Sequence, residues 1–263
     1  MFRVPKEYQV GLLMACAAFF TLAGYEFIRS PATVLFKNAY GAENLPLVMA
    51  AMPLVVFSGV ALYGWILSRL GPRRTLIVTS LGSAMMIIAC YLGVLAGSKI
   101  ITPILFLTKE FYIVLLIEQY WSYINSSLSS DTAKKLNGPI TGIAGLGAVV
   151  GGKLVGLTAG PLGTEAMLVF AALLLIPAVL VSNYTYRAFG EPTAPREQGD
   201  GKHHYMGWQL FRSNPTLASL LAIVLTTQVI AAVLDFKFQG MLSTTFAGDT
   251  DGETIVPVII HGD

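Results

Sequence analysis

Apolar runs long enough to cross a membrane recur seven times in the 263 residues, at about 9–36, 45–67, 75–97, 101–127, 137–160, 165–187 and 215–237. Each is near the roughly 20 residues that the hydrocarbon core of a bilayer demands. Lipid cannot satisfy open backbone N–H and C=O groups, so such runs predict helices and not open sheets. Composition agrees: 54% of residues are hydrophobic and 12% charged, where a soluble domain carries about a quarter charged. The expected fold class is an all-α membrane protein. The first run follows basic residues, as a signal peptide does, but it has no convincing cleavage site and six more runs follow it. It reads as an uncleaved first span, with a kink expected at Pro31.

Lys and Arg set the orientation. With the N-terminus inside, the cytoplasmic segments hold Arg3, Lys6, Arg69, Arg73, Arg74, Lys134, Lys135, Arg187, Arg196, Lys202 and Arg212, against Lys37 and Lys99 outside. Four domains follow. They are a six-helix transmembrane bundle (1–188), a Pro-, Gly- and charge-rich cytoplasmic linker (189–214), a seventh helix (215–246) and a polar tail (247–263). Cys16 and Cys90 fall inside apolar runs and read as packing residues, with no disulfide framework or metal spacing. No zinc-helix motif, nucleophile elbow or membrane-embedded histidine is present. Enzyme chemistry, cofactors and nucleic acid are therefore not expected.

The stretch "LTKEFYIVLLIEQYWSYINSSLSSD", 107–131, departs from this apolar pattern. Each charge at mid-membrane costs about 2.5–3.5 kcal/mol, against about half a kcal/mol gained per Leu. Lys109, Glu110 and Glu118 must therefore face protein or water, which makes them functional candidates. At 100° per residue, Glu118, Ser122, Asn125 and Ser129 share a narrow arc, with Gln119 and Ser126 at its edge. Lys109 and Glu110 are adjacent, and adjacent positions do not face each other, so they are not expected to neutralise one another. Glu26, Arg29, Ser30, Thr33 and Lys37 share a face of the first span if the helix continues past Pro31. Asp235 and Lys237 close the seventh. A solvated path lined by spans one, four and seven explains these residues. Buried ion pairs such as Glu26 with Lys109, which only fix register, are the alternative. The fifth run carries Ala144, Ala148, Gly152, Gly156 and Gly160 at every fourth position, a row over which another helix can approach closely.

"GWILSRLGPRRTL", between spans two and three, resembles the signature loop of the major facilitator superfamily. Gly64, Arg69, Gly71, Arg73 and Arg74 match, and Ser68 stands where an Asp is usual. The resemblance implies a gating loop that braces helix ends during rocking. It also implies a six-helix N-terminal bundle followed by the first helix of a second one. "YEFIRSPATVLFKNAYGAENLP" and "IEQYWSYINSSLSSDTAKKLNGPITGIAGLGAVVGG" further resemble the ATP/ADP translocase family, through Arg29, Gly41, Pro46, Trp121, Asn125, Ala133, Lys134 and the glycine-rich fifth span. Those exchangers carry a Lys-Asp pair where Ala32 and Thr33 stand here. The expectation is a secondary transporter in a bacterial inner membrane for a small anionic solute, nucleotides included. Glu26, Arg29, Lys109, Glu110, Glu118, Gln119, Asn125 and Asp235 are its candidate binding or coupling residues. The alternatives are a non-transporting scaffold and an inactive fragment. Such transporters have two six-helix bundles, so a truncated product completed by a second half or a second copy is also expected.

Overall fold

The computed structural model describes residues 5–191 and ten positions between Ser219 and Met241. The chain divides into two units, Met1–Thr193 with Val256–Asp263, and Ala194–Ile255. The described positions of the second unit are helical. Most of the expected seventh span, the linker, the tail and Asp235 lie outside the described residues.

In the first unit six helices follow one another: α1 (Lys6–Tyr40), α2 (Leu45–Leu70), α3 (Pro72–Leu95), α4 (Ile101–Ser127), α5 (Ser130–Leu162) and α6 (Met167–Phe189). No strand occurs among the described residues. α1, α2, α3, α5 and α6 are long and apolar enough to cross a membrane, and the described residues are those of a helical membrane protein. α4 has the length, 27 residues, but its polar side chains keep it out of that apolar class. It is tolerated because α1, α2 and α3 pack around it.

α1 is the centre of the bundle and packs against α4, α5 and α6. It runs unbroken through the buried Pro31. One core region joins Phe27 and Ile28 of α1 to Ile87, Leu105, Tyr112, Leu168 and Leu175. A second joins Val10 and Met14 to Tyr120, Tyr123, Ile140 and Tyr186. α2 is peripheral. It touches α3 and α4 and buries few of its residues.

Three ties gather the ends that carry Lys6, Arg69, Arg73, Arg74, Lys134, Lys135 and Arg187. Ser129 Oγ at the start of α5 donates to Glu7 Oε2 at 2.9 Å. Arg73 Nε donates to Asn183 Oδ1 at 2.7 Å. The Tyr123 hydroxyl donates to the Gly190 carbonyl at 3.1 Å. This is the basic end of the bundle.

Candidate functional site

α1 and α4 meet through two aromatic contacts. Tyr25 stacks on Tyr112 with ring centroids 6.5 Å apart, and Phe36 lies against Phe106 at 5.6 Å. The helices run antiparallel, so the residues between these contacts lie side by side, with Glu26 and Arg29 near the level of Glu110 and Lys109. Four of them are charged. Arg29 Nη1 reaches Glu26 Oε1 at 3.5 Å across one turn. Lys109 Nζ reaches Glu110 Oε1 at 2.6 Å and lies 4.1 Å above the Phe106 ring. Lys109 is buried, Glu110 and Glu26 are partly buried, and the Arg29 side chain is 50% exposed. Both ion pairs therefore sit in one layer of the bundle.

This overturns the expectation that Lys109 and Glu110 stay apart. Their Cβ atoms diverge by about 100° around the helix, but the four-carbon lysine stem bends tangentially and the glutamate follows. In a low-dielectric layer two stranded charges cost several kcal/mol each, far more than bending the side chains. The Glu26–Lys109 pair, given above only as an alternative, does not form, and two pairs within single helices stand in its place.

Further toward the basic end, Glu118, Ser122, Asn125 and Ser126 are all exposed, so the polar arc of α4 forms one open face, while Ser129, expected on the same arc, lies beyond the end of α4 and immediately before α5. Gln119, expected at its edge, turns inward. It is 3% exposed and its Nε2 donates to Thr79 Oγ1 at 2.7 Å. Beside it, a cavity of about 20 Å3 lies among α1, α3, α4 and α6. Ser80 Oγ, Gln119 Oε1 and Tyr120 Oη line it without hydrogen-bond partners. That volume and three polar atoms match the needs of one buried water.

In the α2–α3 turn, Gly71 at φ +75° both ends α2 and precedes α3, a backbone conformation that glycine adopts without strain. Gly64 is exposed, with open space where a Cβ would stand. Ser68, at the position of the usual Asp, turns its hydroxyl onto the Trp65 carbonyl at 2.8 Å. The Arg69 guanidinium lies 4.3 Å over the Trp65 ring. Arg74 is exposed. Arg73 reaches α6 through Asn183. Replacing either residue with Ala is expected to cost about 1.5 kcal/mol, the low end for a hydrogen bond to a charged group. A double-mutant cycle should return a coupling of similar size. Additive losses would show that the two side chains do not cooperate.

On α5 the closest approach is made by Gly147 and Gly151. A Cβ on Gly147 would strike the Phe19 backbone, and one on Gly151 would come 2.6 Å from the Ala23 carbonyl oxygen. The expected row lies one position further round the helix. Ala144 of that row is buried in the core, but Ala148, Gly152 and Gly156 are half-buried, Gly160 is exposed, and Gly152 has open space where a Cβ would stand. The run "GLGAVVGG" supports either register, and only the docking of α1 chooses between them.

No protein-family model, curated protein or solved structure matches this chain.

Proposed function

We propose that the chain is a secondary transporter of the major facilitator type for a small anionic organic solute, with nucleotides among the candidates. In this reading it works in a bacterial inner membrane with its N-terminus in the cytoplasm, completed by a second half or a second copy. The observation that carries the proposal is the charged layer on α1 and α4, continued by the open polar face of α4. Arg29 is the cation best placed to receive an anion, because its side chain is half exposed. Lys109 is held by Glu110 at 2.6 Å and adds little net charge of its own. Glu118 and Asn125 orient the solute or carry a coupling proton. A substrate site near mid-membrane on repeat-facing helices is the usual arrangement in secondary transporters.

A scaffold is the second reading. The exposed side of α5, where Gly142, Gly145 and Gly152 leave open space, would suit close packing against a partner helix.

Proteoliposome uptake separates the two. The chain should accumulate a labelled organic anion or nucleotide, and Arg29→Gln should abolish uptake while the melting profile stays that of the parent. Failure of the parent to move any member of an anion panel, in liposomes where it is folded, would favour the scaffold.

A further inference from the structure

A groove of about 670 Å3 lies between α2, α3 and α4. Leu62 and Ile66 of α2, Val78 and Met86 of α3 and Leu107 of α4 supply apolar walls. Three of its hydroxyls are already engaged. Ser58, Thr79 and Thr108 donate to the carbonyls of Leu54, Thr75 and Ile104 on their own helices, each at 2.8 Å. Apart from the hydroxyls of Tyr63 and Ser83, the groove offers little to a polar ligand. α2 and α3 belong to the membrane-crossing class, so a molecule entering from the side comes from the apolar phase. From Ile66 to Leu54 the groove runs 12 residues of helix, about 18 Å. That is close to the depth of one leaflet, half of the roughly 30 Å hydrocarbon core.

The basic end of the groove carries charge in register with it. Arg69 lies three residues beyond Ile66 on α2, and Arg74 lies four residues before Val78 on α3. Residues three and four apart share a helix face, so both arginines extend the groove-lining faces by one turn. Both are exposed, and among the described residues neither pairs with a carboxylate. Ser68 between them is neutral, and Arg73 is held by Asn183. Arg69 lies flat on Trp65, an amphipathic ring suited to the membrane interface.

We propose that this groove binds one anionic phospholipid, an acyl chain lying between α2 and α3 and the phosphate bridged by Arg69 and Arg74. Guanidinium groups match phosphate oxygens in bidentate geometry. Basic pockets between membrane helices favour anionic head groups. Two unpaired cations discriminate against a zwitterionic head group, whose own ammonium they would repel. The inference rests on the membrane fold and is independent of the transport reading.

The test uses the full chain in a neutral detergent, titrated with phosphatidylglycerol or with phosphatidylcholine of the same acyl chains, with the melting midpoint as readout. Phosphatidylglycerol should raise the midpoint and phosphatidylcholine should not. The Arg69→Gln/Arg74→Gln double variant should weaken the response about tenfold or more, by loss of two charge-assisted contacts. Gly82→Leu places a side chain in the groove where a Cβ meets nothing within 4 Å. It should fold as the parent does and lose the response while keeping both arginines. Equal stabilisation by the two lipids, or an unchanged response in the arginine variant, overturns the proposal. So does glycerol phosphate or inorganic phosphate reproducing the shift, since the groove would then be irrelevant. A parent that is dimeric, and becomes monomeric in Gly82→Leu, would give the groove to a second copy instead.

Discussion

Gly151→Leu is expected to leave no stably folded protein, whereas Gly152→Leu, one residue away, should fold like the parent. The Gly151 Cα faces the Ala23 backbone, and the carbonyl oxygen there would lie 2.6 Å from an added Cβ. Backbone inside the central helix cannot swing aside as a flexible side chain can. Overpacking a core costs about 1–3 kcal/mol where neighbours can adjust. Here α1 must move away from α5, disturbing its contacts with α4 and α6 as well. That exceeds the usual overpacking penalty and consumes much of a total stability of about 5–15 kcal/mol. At Gly152 a Cβ meets nothing within 4 Å. Gly147→Leu should behave like Gly151→Leu, because it would strike the Phe19 backbone. The measurement is the yield of monodisperse protein in detergent, followed by its melting midpoint. Equal behaviour of the leucines at 151 and 152 would mean that α5 meets α1 in a different register.

Glu110→Gln is expected to be the most damaging of the polar substitutions. It removes the carboxylate 2.6 Å from Lys109 Nζ and strands a buried ammonium. Breaking a buried pair in this way costs about 3–5 kcal/mol. Glu110 is partly exposed, which places the loss at the lower end. Glu118→Gln, on the open face, should change the melting midpoint little, since an exposed carboxylate contributes at most about 1 kcal/mol. The Lys109→Met/Glu110→Met double variant should recover most of what Glu110→Gln loses, because it removes both charges and retains apolar volume. The four proteins are compared by thermal unfolding in one detergent. A Glu110→Gln as stable as the parent, or a double variant as poor as the single, would show that Lys109 and Glu110 do not depend on each other. The same comparison bears on transport. If Glu118 orients or couples the solute, its variant should remain folded yet lose uptake, while Glu110→Gln fails first through stability.

Length and hydropathy sufficed for six helices. α4 was expected at 101–127 and spans Ile101–Ser127. The expectation that α1 runs past Pro31 was also legible, since the following turn is apolar and contains no second breaker. The open polar face of α4 followed from the 3.6-residue period alone. In each case the information is local. A backbone that must satisfy itself in lipid has one solution, and the position of a residue on a helix follows from arithmetic.

The partners were not local. Sequence reading set Lys109 against distant acids because neighbouring Cβ atoms diverge, yet the stem of a lysine is long enough to make that divergence irrelevant once burial penalises every alternative. It placed Gln119 on the polar arc, and the structure turns the amide inward to Thr79. It chose Ala144, Ala148, Gly152, Gly156 and Gly160 as the packing row; Ala144 is buried, but Gly147 and Gly151 make the closest contact. It gave Arg73 no partner, and Asn183 supplies one from a helix 110 residues later. The sequence by itself therefore determined where the six described long helices lie and which of their residues are too polar for lipid. Only the tertiary structure decided which neighbour satisfies each of them. Helix formation is dictated by the backbone and its solvent. The rotation of one helix against another is set by side-chain volumes summed over a whole interface, where a shift of one residue exchanges Gly152 for Gly151.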